Sequence, residues 1–161
     1  MAAPKYLKYA SGKITQDTSA TTGNEVIVST NSSGKLEASI MPDGFGAETQ
    51  SIVASGTLAE GDFVNIFLDS GTLKARRADS SNGRPAMGCV LAGYSDGATA
   101  TVYVGETTVT GYSSLTVGGE VWLSTSGRAT QTAPTTGIGQ SLGFALSATT
   151  IQQQIKEHIV L

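Results

Sequence analysis

Residues 57–161 carry one β-like unit written twice, and that duplication limits the possible folds more than any other feature of the chain. Leu58, Gly61, Val64 and Ile66 recur at identical spacing as Leu115, Gly118, Val121 and Leu123. A Ser-Gly pair follows in both copies. Ser70-Gly71 precedes Thr72-Leu73-Lys74-Ala75 and Ser126-Gly127 precedes Arg128-Ala129-Thr130, the pattern of a hairpin between two short strands. Pro85 and Pro134 come next, ahead of the apolar stretches 87–92 and 142–147. Each copy closes on a β-rich end, Thr101-Val102-Tyr103-Val104 or His158-Ile159-Val160-Leu161. The copies lie about 55 residues apart, and a unit of this size cannot bury its apolar face alone, so the two are expected to pack on each other. The expected fold is all-β: a compact barrel or sandwich over 51–161, built from pseudo-repeats at about 57–104 and 114–161.

Composition narrows the function classes. Gly, Ser and Thr make up 59 of the 161 residues and charged residues only 14%, so few side chains are available for acid, base or nucleophile roles. One Cys excludes an internal disulfide, so the fold does not depend on an oxidising compartment. The net charge of −3 gives no electrostatic case for nucleic acid, which calls for a basic face that releases counterions from phosphates. Lys74, Arg76, Arg77 and Arg84 form the one basic cluster, and it reads as a solvated or interface strand. No apolar run approaches the roughly 20 residues of a membrane helix, and the lysine-punctuated start carries no secretory signal. Neither nucleic acid nor membrane is expected as a partner.

Residues 1–50 differ in character and read as an extended arm and linker. The run from Ser11 to Asn24 is too poor in apolar residues to fold around a core of its own. Lys5, Tyr6, Leu7, Lys8 and Tyr9 alternate long amphipathic side chains, and 25–29, centred on Val26, Ile27 and Val28, is a short strand. Both segments could add to another sheet. Leu36, Ile40 and Met41 allow one helical turn, which Pro42 and Gly44 end. Beyond Gly46 the folded part begins, with strands expected near 51–55, 62–68, 72–77, 86–92, 99–104, 106–111, 120–124, 128–132, 140–147 and 156–161. The stretch 148–157 reads as strand or loop, because Ile151 and Ile155 alone make too thin a stripe for a helix.

The search for chemistry returns little. Asp62, Asn65 and Asp69 have calcium-ligand types, but no glycine interrupts them and the residues between belong to a buried strand. His158 has no second ligand at metal spacing. Cys89 sits in an apolar run, where a thiol behaves as a small hydrophobe. Gly44-Phe45-Gly46 and Gly137-Ile138-Gly139 lack the remainder of a phosphate loop and read as turns. Trp122 stands at a repeat core position and reads as packing. No catalytic residue, metal ligand or cofactor site is expected.

The stretch Ser33-Gly34-Lys35-Leu36-Glu37-Ala38-Ser39-Ile40-Met41-Pro42-Asp43-Gly44-Phe45-Gly46-Ala47-Glu48-Thr49 resembles the linker of tailed-bacteriophage head decoration (capsid cement) proteins. So do residues 58–66, 86–91 and 142–149, in the same order along about 130 residues. The resemblance implies a non-enzymatic virion protein, made in the host cytoplasm, that binds assembled major capsid protein from outside, often as a homotrimer. Its arm, with Lys5, Tyr6, Leu7, Lys8, Tyr9, Val26, Ile27 and Val28, would then contact the capsid. Three other readings stand beside it, the last an enzyme, which a cavity gathering several of the acids would favour. A tail or fibre component shares the low charge and Gly/Thr richness, and a carbohydrate-binding β-module would be favoured by an exposed aromatic cluster around Tyr94, Tyr103 and Tyr112.

Overall fold

The computed structural model describes Tyr6–Ala10, Lys13–Asp17, Val26–Ile27 and all of 47–161. The chain divides into two compact units, 1–46 and 47–161. In the first, β1 (Tyr6–Ala10), β2 (Lys13–Asp17) and β3 (Val26–Ile27) form an antiparallel sheet in the order β2-β1-β3. Thus β3 falls within the strand expected at 25–29, while β2 lies in the stretch read from sequence as arm. The expected helical turn at 36–41 lies outside the described residues.

The second unit is nearly all β, with one 3-10 turn, Ser80–Asn82, among its elements. Its first copy holds β4 (Thr49–Ala54), β5 (Phe63–Asp69), β6 (Thr72–Arg77), β7 (Gly88–Cys89) and β8 (Thr99–Tyr103), closed into a barrel in the order β4-β6-β5-β7-β8. The next strands are β9 (Thr108–Val109), β10 (Glu120–Leu123), β11 (Ala129–Thr130), β12 (Ile138–Gly139), β13 (Ser141–Ala145), β14 (Ile151–Gln153) and β15 (Ile159–Val160). Five of them form a sheet in the order β11-β10-β13-β14-β9. That order repeats the barrel's, with β9, β10, β11, β13 and β14 standing for β4, β5, β6, β7 and β8. Registers agree as well, since Val64 lies opposite Gly88 and Val121 opposite Gly143.

The duplication therefore ends on β14. The sequence had matched Thr101–Val104 with His158–Leu161, but in the sheets β15 pairs with β12 as a separate two-stranded ribbon. The misleading signal was local: the apolar end Ile159-Val160-Leu161 outweighed the stretch 148–157, read as strand or loop, where β14 forms with Ile151 and Gln153 buried.

Alternation along the strands explains two cores. Neighbouring strand residues face opposite sides. Val64 joins Ile52, Ala54, Ala75, Ala100 and Val102 within the barrel, where alanines suit the narrow interior of five strands. Phe63, one residue earlier, joins Cys89, Val109, Val121, Leu123 and Leu142 in a second cluster drawn from both copies. Each copy thus buries the other's apolar face, as expected of the repeat. Burying a side chain of Phe63's size contributes about 1.5–3 kcal/mol.

Both Ser-Gly pairs form turns with positive φ, at Ser70 and Gly71 and at Ser126 and Gly127. The hairpins differ in length. Ile66 pairs with Ala75 and Leu123 with Ala129, leaving eight residues between partners in the first and five in the second. The extra length of the first places Leu68 opposite Leu73 near its tip.

Polar contacts fasten the copies together. Asp79 caps the 3-10 turn by accepting from Ser81 N at 2.9 Å, and it also accepts from Ser126 N at 3.1 Å across the junction. Burial alone would raise its carboxyl, but the bonds from Ser81 and Ser126 and the nearby Arg84 outweigh burial and hold it below the ordinary carboxylate range. Gly127 donates to Ala78 O and accepts from Phe63 N, at 2.7 and 2.8 Å.

Candidate functional site

The residues expected to touch a partner fall on two strands that pair. Tyr6, Leu7, Lys8 and Tyr9 belong to β1, with Leu7 opposite Ile27 and Lys8 opposite Val26 on β3. Lys5 and Val28 lie outside the described residues. Because β1 is the middle strand, both its edges are occupied. Any strand added to this sheet would join β2 or β3, an assignment the sequence left open.

In the second unit the groups that could carry chemistry are engaged structurally. Asp62 is 1% exposed, and its Oδ2 accepts from Ala59 N and from Arg77 Nε, each at 2.8 Å. Its Oδ1 lies 3.4 Å from Nη1 of Arg128, in the other copy. Arg128 also donates to Gly111 O at 2.7 Å and stacks 4.4 Å above the Tyr112 ring, whose hydroxyl donates to Gly61 O at 2.9 Å. Burial pushes the Tyr112 phenol well above its ordinary range, against the pull of Arg128. Asn65 is bonded to Pro85 O and to Arg76, and Asp69 to Lys74 at 2.7 Å. The three calcium-type residues thus serve three separate contacts.

Among the described residues no three His, Cys, Asp or Glu side chains gather as metal ligands. Cys89 is buried, and burial pushes its thiol up to about 12, so almost none is thiolate at neutral pH. His158 lies exposed beside β15. No described helix is long and apolar enough to cross a membrane.

Side chains suited to association lie on the surface instead. Leu68 is 67% exposed and Leu73 57%, facing each other on the extra length of the first hairpin. Ile159 and Val160 on β15 are 61% and 82% exposed. Sequence reading passed over both pairs, although large aliphatics flanking a Ser-Gly turn were a visible signal. Trp122, expected in the core, is half-buried between Val121 and Leu123, which alone of the three are fully buried. The tyrosines do not gather: Tyr94 packs on the barrel cluster, while Tyr103 and Tyr112 pack on the cluster shared by the copies. All three are partly buried, so the exposed tyrosine cluster that would favour a glycan-binding module does not form among the described residues.

No family model matches this chain, and no curated protein does. A solved structure does match in fold: the crystal structure of the head fibre gp8.5 N base in bacteriophage phi29, at 13% identity and a TM-score of 0.52. The match covers 70% of this chain and all of that one. At so low an identity the likeness concerns fold alone.

Proposed function

We propose that this chain is a structural protein of a bacteriophage virion that binds the outside of the assembled head and stabilises it. The observation that carries the reading is the fold shared with a protein named as the N base of a phage head fibre, across 70% of this chain. The partner in this reading is the major capsid protein, and the protein acts as a homotrimer without cofactor or catalysis. A unit with two packed cores and a polar lock between its copies makes a rigid body to seat on a shell. Residues 1–46 supply the contact, with β2 or β3 adding to a capsid strand so that main-chain hydrogen bonds carry the attachment. Stabilisation then follows from mass action, because a ligand that binds only the assembled shell favours it, and many copies multiply a modest interface.

The same neighbour favours a second reading, in which the unit is the base of a head fibre and only secondarily a cement. Cosedimentation of the full-length protein and of a 1–24 deletion with expanded capsids and with procapsids tests both. The cement reading expects saturating binding of the full-length protein to expanded shells, together with slower capsid disruption on heating, and loss of binding on deletion. Binding without added capsid stability would favour the fibre base, and unchanged binding of the deletion would remove the arm from the mechanism.

A further inference from the structure

Among the described residues one buried side-chain polar atom has no partner, Oε1 of Gln153. The residue is 1% exposed. Its Nε2 donates to Gly105 O at 2.6 Å and Tyr103 O at 3.3 Å, and turning the amide over would set its oxygen against two carbonyl oxygens. The orientation is therefore fixed, and the acceptor stays without a donor. Its duplicate has none of this. Cys89 pairs with Tyr103 as Phe144 pairs with Gln152, so Gln153 stands where the first copy has Val104.

Gln153 lines an open cleft of about 480 Å³, with apolar Val104 and Ile155 and the carboxylates of Glu48 and Glu106. Glu48 lies against the backbone of Gly105, where an added Cβ would come within 3.0 Å of its Oε2. Glu106 Oε1 accepts only a long bond, 3.4 Å, from Gln154. Lys156 also lines the cleft, but its ammonium lies 3.6 Å from Glu120.

Two carboxylates and an orphaned amide oxygen beside apolar walls call for several N–H donors on an apolar stem. A hard cation wants six or more oxygens, and an ammonium offers one compact charge. A guanidinium presents five donors in a planar fork and carries a methylene stem that suits Val104 and Ile155. We propose that this cleft is a receptor for an arginine side chain presented by a protein partner. The assignment goes beyond the capsid reading and stands or falls without it, since its test uses no capsid.

The experiment is a titration of ¹⁵N-labelled full-length protein with N-acetyl-arginine-N-methylamide and with its lysine and norleucine counterparts, following the Gln153 side-chain amide and the Gly105 backbone amide. The arginine compound should shift both signals saturably, and the lysine and norleucine compounds should not. A Glu48→Gln/Glu106→Gln double variant, checked as folded by its spectrum, should bind at least about tenfold more weakly. Gln153→Leu should abolish the arginine-specific shift at Gly105. No shift with arginine would mean that the acceptor is met by water and would overturn the assignment. Equal shifts from lysine or norleucine would overturn it too, by showing plain charge attraction or apolar contact.

Discussion

The barrel and the sheet that duplicates it share strand order and register, yet only the first closes. In the barrel β4 and β6 pair in parallel, Val53 with Lys74 and Ala54 with Ala75. Their counterparts β9 and β11 do not pair. Side chains beside β11 reach the segments that follow β9 instead: Arg128 reaches Gly111 O, and Gln131 donates to Thr116 O at 2.9 Å and accepts from Thr116 N at 2.8 Å in the connection from β9 to β10. The lesson is that one backbone plan can be sealed by a ladder or by long polar side chains, and that the second solution leaves the sheet dependent on its neighbour. Arg128 answers to Asp62 of the barrel, and Phe63 fills the shared core.

If the second sheet depends on the first, Phe63→Ala should cost about 3–5 kcal/mol and unfold both together. Thermal melts followed by Trp122 fluorescence and by far-ultraviolet circular dichroism should coincide, and separate transitions would break the comparison by showing two independent copies. The glycines sharpen it. Gly61 and Gly118 have matching positive φ, 79° and 77°, but a Cβ on Gly61 would overlap the Thr110 carbonyl oxygen, whereas one on Gly118 meets nothing within 4 Å. Denaturant titration should show Gly61→Ala costing about 3 kcal/mol, from backbone strain plus overlap, against about 1 kcal/mol for Gly118→Ala. Equal losses would mean that the copies are not pressed together at that point.

Asp62→Ala should cost about 2 kcal/mol by the same measurement. The loss stays below that of a fully buried broken pair because Arg77 and Arg128 are 42% and 40% exposed and can turn to water. Smaller still is an acid-limb effect. The folded Asp79 carboxyl titrates below the ordinary carboxylate range, so its contribution is complete above that range and is lost as pH falls through the lower folded value. Asp79→Asn should flatten that part of a stability-versus-pH curve, and an unchanged slope would contradict the bridge to Ser126. Least affected should be Leu68→Ser, within about 0.5 kcal/mol by thermal melting, since an exposed hairpin tip carries little of the monomer's stability.

Much of this fold was legible because the signals were local. Val64 and Val121 recur within alternating strands, and the Ser-Gly pairs mark positive-φ turns, so the duplicated all-β plan could be read from residue types alone. Barrel closure was not legible, because it depends on Val53 and Ala54 meeting β6 some twenty residues on while β9, only two residues long, stops short of the same contact. The polar lock was equally hidden: Asp62 and Arg128 are 66 residues apart, and nothing beside either names its partner. The role of Gln153 was hidden for the same reason, since a strand or loop reading of 148–157 does not show that Tyr103 and Gly105 hold its amide.

In the proposed function the double unit seats on a phage head. Electron cryo-microscopy of expanded capsids incubated with the full-length protein tests it most directly. The account predicts density for the double β unit on the outer surface at symmetry-related lattice points, grouped in threes, with an extension running between capsid subunits. A bare outer surface at saturating protein, with density found on tails or nowhere, would contradict it.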